Sequence, residues 1–250
     1  MPSPGAWHLE FHETLPSTSA ALVARAEAGA AEGLVLLARR QTAGRGRQGR
    51  IWSSPVGNLH LSVLLRPTGP ARDLPQWSLL AGLALAEAAR GAVPDPAALR
   101  LKWPNDLLRY GAKCAGILAE SSLGPDGIAA WLVLGFGANL AAAPALPDRP
   151  TACLGTTLPV AAFAERLLAR LGHWHRVQAD QGFAPVRAAW LGLGPVPDAA
   201  LAVRFGSGWR HGRFAGLAPD GCLRLEEAGI CHTIAAGEVL DRTAPLAGGG

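Results

Sequence analysis

Apolar and polar residues along the first 190 positions predict short strands interspersed with helices. Trp7–His12 alternates apolar and polar side chains, as a half-buried strand does, and Leu34–Ala38 is a short apolar run typical of a buried strand. Between them, hydroxyl residues at 17–19 can cap an Ala-rich helix ending near Ala28. Further strands are predicted at 59–65, 99–103, 115–120 and 129–136, the second and third paired around a turn at Gly111, and helices at 75–90 and 160–191.

Strands and helices do not alternate strictly, so we predict an α+β fold, a mixed β-sheet flanked by helices, rather than a Rossmann sheet. After residues 192–195 the pattern changes to short strands separated by turns, including a hairpin turn at Pro219–Gly221. We therefore divide the chain into a large domain over 1–195, a small all-β domain over 196–246 and a disordered tail over 247–250.

Composition excludes several classes of protein. Of 250 residues, 49% are hydrophobic and 17% charged, which rules out extensive disorder. The net charge of +4 suits a protein that handles anions, but it falls short of a nucleic-acid-binding surface unless the charge is concentrated. Most of it is spread out, except for Arg45, Arg47 and Arg50 in one loop. No apolar stretch is long enough to span a bilayer, the N-terminus does not have the pattern of a signal peptide, and the four cysteines have no metal-binding spacing. We expect a cytoplasmic protein without a membrane partner.

Lysine is the rare cation of this chain and asparagine is rare as well. Of 23 Lys and Arg residues, only Lys102 and Lys113 are Lys, and Asn105, one of three Asn, lies between them. An ammonium group is a compact charge that can sit close to a single oxygen, whereas a guanidinium group is a planar fork. Both lysines falling in one short stretch indicates a polar site there.

Four segments carry candidate chemistry. Residues 41–52 alternate Gly and Arg directly after a strand, which allows close backbone approach to an anion. The same composition also fits a solvated basic loop or an RNA-binding arginine–glycine patch. Residues 101–120 combine both lysines with Asn105 and Asp106. Asp106 could hold a magnesium ion or a substrate N–H, and Lys113 could neutralise a phosphate or carboxylate, but an ordinary polar hairpin turn with a surface Lys also fits. Residues 134–140 contain Gly-Phe-Gly before Asn139, whose amide could contact a base edge or merely end a strand. The Ser17-Thr18-Ser19 triplet could bind a polar ring or only cap a helix.

Taken in order, the blocks PSTS, QTAGRGRQGRIW, KWPNDLL, KCAGILAE and GFGANL resemble the biotin–protein ligase family, and GRFAGLAPDGCLRL with AAGEVL is similar to its SH3-like domain. The resemblance implies a class II aminoacyl-tRNA synthetase/biotin ligase-like fold, in which 1–195 is the catalytic biotin- and ATP-binding domain and 196–246 is an SH3-like barrel. It implies an ATP-dependent biotin–(acetyl-CoA-carboxylase) ligase, using ATP and Mg²⁺. Biotin would be activated as biotinyl-5'-AMP and transferred to a lysine of a biotin carboxyl carrier protein or domain.

The same resemblance assigns roles to individual residues. Biotin would be bound by Ser17, Thr18, Ser19, Gln41, Gly44, Arg45, Gly46, Arg47, Lys113 and Gly116. The nucleotide would be bound by Arg47, Arg50, Trp52, Lys102, Asn105 and Asn139. Lys113, Arg47 and Asp106 are the expected catalytic residues, and Asp106 is the expected magnesium ligand. Many relatives have Asn where this chain has Ser19.

Three other functions are weighed against this one. A lipoate or octanoate ligase shares the fold but carries a different Gly-rich motif. A nucleic-acid-binding protein would have basic and aromatic residues beyond one loop. A non-catalytic biotin-binding regulator would not need both Lys113 and Asp106.

Since the hydroxyl triplet begins at residue 17, we expect no winged-helix domain before it and no DNA partner. A monomer and a homodimer are both compatible with the sequence.

Overall fold

The computed structural model describes residues 6–147, 149–205 and 208–241. The predicted tail at 247–250 lies outside these residues. In chain order the elements are β1 His8–Leu15, α1 Thr18–Glu27, β2 Leu34–Gln41, β3 Leu59–Leu65, α2 Leu74–Arg90, β4 Leu99–Lys102, β5 Asp106–Arg109, β6 Ala112–Leu123, β7 Ala129–Ala138, α3 Val160–Gln181, α4 Phe183–Leu193, β8 Ala200–Phe205, β9 Gly208–Leu217, β10 Leu223–Glu227, β11 Ile230–Ile234 and β12 Glu238–Asp241.

The larger unit is a seven-stranded sheet in the order β1-β2-β3-β7-β6-β5-β4. β1 and β2 are parallel and the other neighbours are antiparallel, so the predicted mixed sheet is confirmed. Alternate side chains of the central strands face opposite ways. Val35 and Leu61 belong to the main core with α2, α3 and α4, whereas Leu36 and Leu64 pack with Leu22 of α1 on the other face.

The prediction that strands 99–103 and 115–120 pair with each other is wrong. β5 lies between them and pairs with both β4 and β6. β5 has only four residues, and it directly follows a Pro-Asn pair that is typical of a turn. The pattern of apolar residues therefore does not predict this strand. The predicted turn at Gly111 is present, but it joins β5 to β6, with Tyr110 and Gly111 at φ of 49° and 77°.

The smaller unit is an antiparallel sheet in the order β11-β10-β9-β8-β12. Its core is continuous with the main core, since Phe214, Leu217 and Leu223 are buried in the same cluster as the helices α2 and α4. Trp103 Nε1 donates to the Gly221 carbonyl at 3.1 Å, and Arg187 Nε donates to the Leu217 carbonyl at 2.8 Å. The small sheet is therefore attached firmly beside the end of the large one. No described helix is long and apolar enough to cross a membrane.

Candidate active site

A cavity of about 500 Å³ opens above the ends of β6 and β7, between the loop after β2 and the start of β12. Among the residues that line it are Ser17, Thr18, Ser19, Gln41, Arg45, Gly46, Arg47, Arg50, Trp52, Lys102, Asn105, Asp106, Lys113, Gly116 and Asn139. Gly44, the remaining predicted residue, lies behind this lining, where a Cβ would meet the Trp52 carbonyl oxygen at 2.4 Å. The four segments singled out in the sequence therefore meet at one place.

The hydroxyl triplet forms one end of the cavity at the start of α1. Ser17 caps the helix, and its Oγ accepts the Ala20 N–H at 3.3 Å. Gln41 lies opposite Leu15 at the ends of the parallel strands β1 and β2, which places its side chain beside the helix. Gln41 Oε1 accepts the Thr18 backbone N–H at 2.7 Å and lies 3.1 Å from Thr18 Oγ1. Capping and ring binding are thus compatible uses of this triplet.

Glycines on β6 and β7 leave bare backbone under three candidate side chains. A Cβ at Gly135 would meet Ser19 Oγ at 2.3 Å, and a Cβ at Gly137 would meet the Trp52 indole at 2.4 Å. A Cβ at Gly116, the strand partner of Gly137, would meet Lys113 Nζ at 3.1 Å. Along β7 the site therefore runs from the hydroxyl triplet at 135, through the Trp52 and Lys113 side chains at 137, to Asn139.

Asp106 joins the two lysines. Its Oδ1 lies 2.5 Å from Lys113 Nζ and its Oδ2 lies 3.4 Å from Lys102 Nζ. Lys102 and Asp106 face each other across β4 and β5, whereas Lys113 comes from a bulge of β6 that shifts the register after Leu107. Burial alone would raise the pKa of Asp106, but the two ammonium groups outweigh it and hold that pKa below its usual value. The three side chains therefore form a charged cluster at the cavity wall.

The predicted magnesium site at Asp106 does not fit this geometry. Each carboxylate oxygen is within ion-pair distance of an ammonium group, so a cation would have to displace a lysine. Among the described residues, no group of three or more His, Cys, Asp and Glu side chains could hold a metal ion. These residues provide a place for an anion near Lys113 rather than a resident Mg²⁺.

The basic loop 42–54 folds over the cavity as a tight hairpin. The Gly46 N–H donates to the Arg50 carbonyl at 2.8 Å and the Trp52 N–H to the Gly44 carbonyl at 2.9 Å. The turn includes Gln48 and Gly49, at φ of 58° and 72°. Because its own backbone is already hydrogen-bonded, the loop presents its side chains in fixed directions.

The three loop arginines each have a separate acceptor. Arg47 Nη1 donates to Asn105 Oδ1 at 2.9 Å, and the Asn105 amide in turn donates to the Ile117 carbonyl at 2.7 Å. Burial lowers the pKa of Arg47, although Asp106 and Glu238 counteract this. Arg45 Nη2 lies 3.0 Å from a carboxylate oxygen of Glu120. Arg47 is the arginine that lies beside the Lys102, Asn105 and Asp106 segment.

Arg50 forms a bidentate pair with Glu238, the first residue of β12. Both oxygens of Glu238 accept hydrogen bonds from Arg50 at 2.8 Å, and Oε1 also accepts one from Arg149 at 3.1 Å. The hydrogen bonds from Arg50 are the main reason that the pKa of Glu238 falls to about 2. The smaller sheet thus contributes a carboxylate to the cavity of the larger unit.

Among the residues of this site that sequence reasoning missed, four make polar contacts with its other residues. Ser62 and Ser54 hydrogen-bond to the hydroxyl triplet and to Gln41, while Arg149 and Glu238 line the cavity. β3 is apolar except for His60 and Ser62. A hydroxyl residue within such a buried strand is a sequence signal that could have identified Ser62. The other three lie in loops or at a strand start, where no local pattern distinguishes them.

The chain is similar to known proteins in both sequence and fold. The model of the biotin/lipoate A/B protein ligase family matches residues 11–139. A biotin–(acetyl-CoA-carboxylase) ligase of Paracoccus denitrificans is 38% identical over 216 residues, covering 82% of this chain and 88% of the relative. A ligase with the same name from Mycobacterium tuberculosis is 42% identical over 192 residues, 71% of this chain and 69% of the relative. The solved biotin protein ligase from Aquifex aeolicus in complex with biotin and ATP has a TM-score of 0.75 at 26% identity, over 93% of this chain and 97% of that one.

Proposed function

This chain belongs to the biotin/lipoate A/B protein ligase family, and from that premise we propose that it is an ATP-dependent biotin–protein ligase. It activates biotin as biotinyl-5'-AMP and then transfers biotin to a lysine of a biotin carboxyl carrier protein or carrier domain of a carboxylase. The names of the Paracoccus and Mycobacterium relatives support the carboxylase as acceptor.

The observation that carries this proposal is the order of side chains along β7. Steps of two residues along a strand advance by about 7 Å. The hydroxyl groups lie over position 135, the Lys113 ammonium group lies beside position 137, and the amide of Asn139 follows at position 139. The three groups therefore lie along one line at intervals of about 7 Å. This sequence of groups suits a polar ring, a carboxylate next to a phosphate, and a purine, which are the parts of biotinyl-5'-AMP in order.

The chemistry follows from this placement. A biotin carboxylate oxygen attacks the α-phosphorus of ATP, the bond to the bridging oxygen breaks, and pyrophosphate leaves. Lys113 and Arg47 offset the negative charge that builds on the phosphate oxygens, and the Asp106 carboxylate holds Lys113 in position. The acceptor lysine then attacks the activated carbonyl and AMP leaves. Magnesium, which we predict for this reaction, arrives with ATP as part of the substrate.

The hydroxyl end of the cavity favours biotin over lipoate. Ser17, Thr18 and Ser19 are each at most 5% exposed, and they line the cavity with polar atoms. A dithiolane ring can neither donate nor accept hydrogen bonds well, so the lone pairs and protons of this triplet that face the cavity would be left unpaired when it entered. Leaving a buried polar group unpaired costs about 1–3 kcal/mol, which is enough to reject an apolar ring.

Three finer expectations accompany the proposal. The small sheet is an SH3-like domain, supported by its five antiparallel strands. The reaction takes place in the cytoplasm, where ATP and carboxylases are present, and the four free cysteines suit that compartment. The protein acts as a monomer or a homodimer.

Transfer of radiolabelled biotin to a purified carrier domain, with and without ATP and Mg²⁺, tests the function. We expect transfer only with ATP, and a fall of at least about 100-fold in kcat for Lys113→Ala, since one preorganised charge at the transition state contributes roughly 3–4 kcal/mol. Arg39→Ala is the matched control, because Arg39 pairs with Glu13 on the surface.

The possible results separate the competing functions. Biotin binding without transfer to any carrier domain would identify a binding-only regulator. Transfer of lipoate or octanoate in preference to biotin would identify the other branch of the family. A wild-type rate in Lys113→Ala would show that the Lys113 ammonium group does not stabilise the transition state.

A further inference from the structure

The amide of Gln41 fixes the direction of a chain of hydrogen bonds at the hydroxyl end of the cavity. The Thr18 backbone N–H can only donate, so the atom that it contacts at 2.7 Å must be the carbonyl oxygen Oε1 of Gln41. Oε1 can only accept, and it lies 3.1 Å from Thr18 Oγ1. The Thr18 hydroxyl therefore donates its single proton to Gln41 Oε1.

The same reasoning assigns the next two protons. Ser62 Oγ lies 2.8 Å from Thr18 Oγ1, whose proton is already used, so Ser62 must be the donor. Ser19 Oγ lies 3.0 Å from Ser62 Oγ, whose proton is now used as well, so Ser19 must donate to Ser62. All three hydroxyl protons point from Ser19 through Ser62 and Thr18 towards Gln41.

The Nε2 group of the Gln41 amide acts as a hydrogen-bond donor. This nitrogen can only donate, and it lies 2.9 Å from Ser54 Oγ. The Ser54 hydroxyl then donates to the Trp52 carbonyl at 3.3 Å. One proton of Nε2 remains, and Ser17, whose Oγ accepts from Ala20, also keeps its own proton among the contacts of the described residues.

This network leaves a defined pattern at the cavity. Thr18 and Ser19 have lone pairs but no proton to offer, while Ser17 and Gln41 have protons. All four residues line the cavity. A cyclic urea matches the pattern, because its ring N–H groups donate and its carbonyl oxygen accepts.

We propose that Ser62 and Ser19 are specificity-determining positioning residues, which act as a hydroxyl relay that makes the ring pocket accept only N–H donors at Thr18 and Ser19. The inference rests on the proposed function, since it concerns the ring of biotin. Ser62 is fully buried on β3 and does not line the cavity, so it acts only through its neighbours. Ser19 is the start of the relay, and its hydroxyl lies directly over the backbone of Gly135.

The relay can be tested with a set of three ligands. The probes are biotin and its two cyclic carbamate analogues, in each of which one ring N–H is replaced by oxygen, titrated calorimetrically without ATP. An acceptor placed against the lone pairs of Thr18 or Ser19 loses roughly 5- to 150-fold in affinity, which corresponds to one unpaired buried group. We expect wild type to reject at least one analogue to this extent.

Ser62→Ala should weaken that rejection. Without Ser62, the Ser19 proton has no partner and can turn to the ring oxygen, so the preference for biotin over the rejected analogue should fall at least threefold. Ser19→Ala combined with Ser62→Ala removes the acceptor at position 19 as well as the freed proton, so the preference should stay as low as in Ser62→Ala. Ser122→Ala on β6 is the control and should leave the preference unchanged. Ser62→Cys, with nearly the same shape and a weaker donor, serves if Ser62→Ala does not fold.

The outcomes distinguish failure of the relay from failure of the proposed function. If wild type does not bind biotin, the proposed function fails and the relay with it. If wild type binds biotin and rejects an analogue, but Ser62→Ala and Ser62→Cys keep the full preference, the relay is overturned while the ligase function stands.

Discussion

At the scale of single residues, the site depends on positions that have no side chain. Gly116, Gly135 and Gly137 occupy neighbouring positions on β6 and β7, and each lies under a side chain that faces the cavity. Because these glycines have no Cβ, the side chains of Lys113, Ser19 and Trp52 lie closer to the sheet than any other residue would permit. The glycines thereby set the depth of the cavity.

Gly137→Ala tests this role. A Cβ there would lie 2.4 Å from the Trp52 indole, so the ring must move. We expect a loss of about 1–3 kcal/mol in the free energy of unfolding, together with a rise of at least about tenfold in KM for ATP. Urea denaturation and steady-state kinetics measure the two effects.

Gly192→Ala provides the comparison. Gly192 lies in α4, and a Cβ there would have open space. Alanine is favoured over glycine in a helix by about 1 kcal/mol, so this variant should be as stable as wild type or more stable, with unchanged KM. A normal KM for ATP in Gly137→Ala would show that Trp52 can move without consequence for the nucleotide.

At the scale of elements, the loop 42–54 and β12 are joined through Glu238. This contact links Arg50 of the basic loop to a strand 188 positions later in the chain. Glu238→Gln removes the negative charge while keeping the shape of the side chain. Arg50 and Arg149 then lose the charge of a shared partner, and we expect the loop to open more often.

Hydrogen exchange of residues 45–52 measures this opening. The amides of this segment should exchange several-fold faster in Glu238→Gln, since one charged contact of this exposure contributes about 1 kcal/mol. Glu227→Gln is the control, because Glu227 pairs with Arg210 on the same small sheet but does not line the cavity. Equal exchange in the two variants would show that Glu238 does not hold the loop.

The same pair gives a pH dependence. The pKa of Glu238 is lowered from 4.5 to about 2, mainly by hydrogen bonds from Arg50. A lowered pKa adds stability that is fully present above pH 4.5 and disappears as the pH falls towards 2. The difference in unfolding free energy between wild type and Glu238→Gln should therefore be constant from pH 8 to 5 and shrink below pH 4.5.

Most elements could be predicted from the sequence, because long apolar runs and strict alternation identify them. β3 and α2 were predicted within a residue of their bounds. β5 was missed because four residues after a turn carry too little periodicity, and the pairing of β4 was wrong for the same reason. The residues that the compact motifs single out line one cavity, whereas the positions of Ser54, Ser62, Arg149 and Glu238 depend on contacts that only the folded chain creates.

At the scale of the whole molecule, the two sheets share one core. Gly221, in the hairpin turn of the small sheet, packs against α2 and α4, and a Cβ there would meet Leu79 Cδ1 at 2.8 Å and the Phe183 ring at 3.4 Å. Its φ of 90° is also costly for any other residue. Gly216 has a similar φ of 97°, yet a Cβ there would meet no atom within 4 Å.

These two glycines separate backbone strain from packing between the sheets. Both Gly216→Ala and Gly221→Ala should lose stability through strain, and Gly221→Ala should lose about 1–3 kcal/mol more through overpacking. Calorimetry should show one cooperative transition in wild type and in both variants. Two separate transitions in wild type would mean that the sheets unfold independently.

The scarcity of lysine has a consequence for self-labelling. A mixed anhydride that escapes from the cavity acylates amines, and the surface of the enzyme is the first that it meets. This chain has only two lysines, which are 15% and 18% exposed and both paired with Asp106 inside the site. Every other long cationic side chain is an arginine, which stays protonated and does not attack an acyl group. The enzyme thus carries almost no lysine that its own reagent could consume, and the amine of the incoming carrier has little competition.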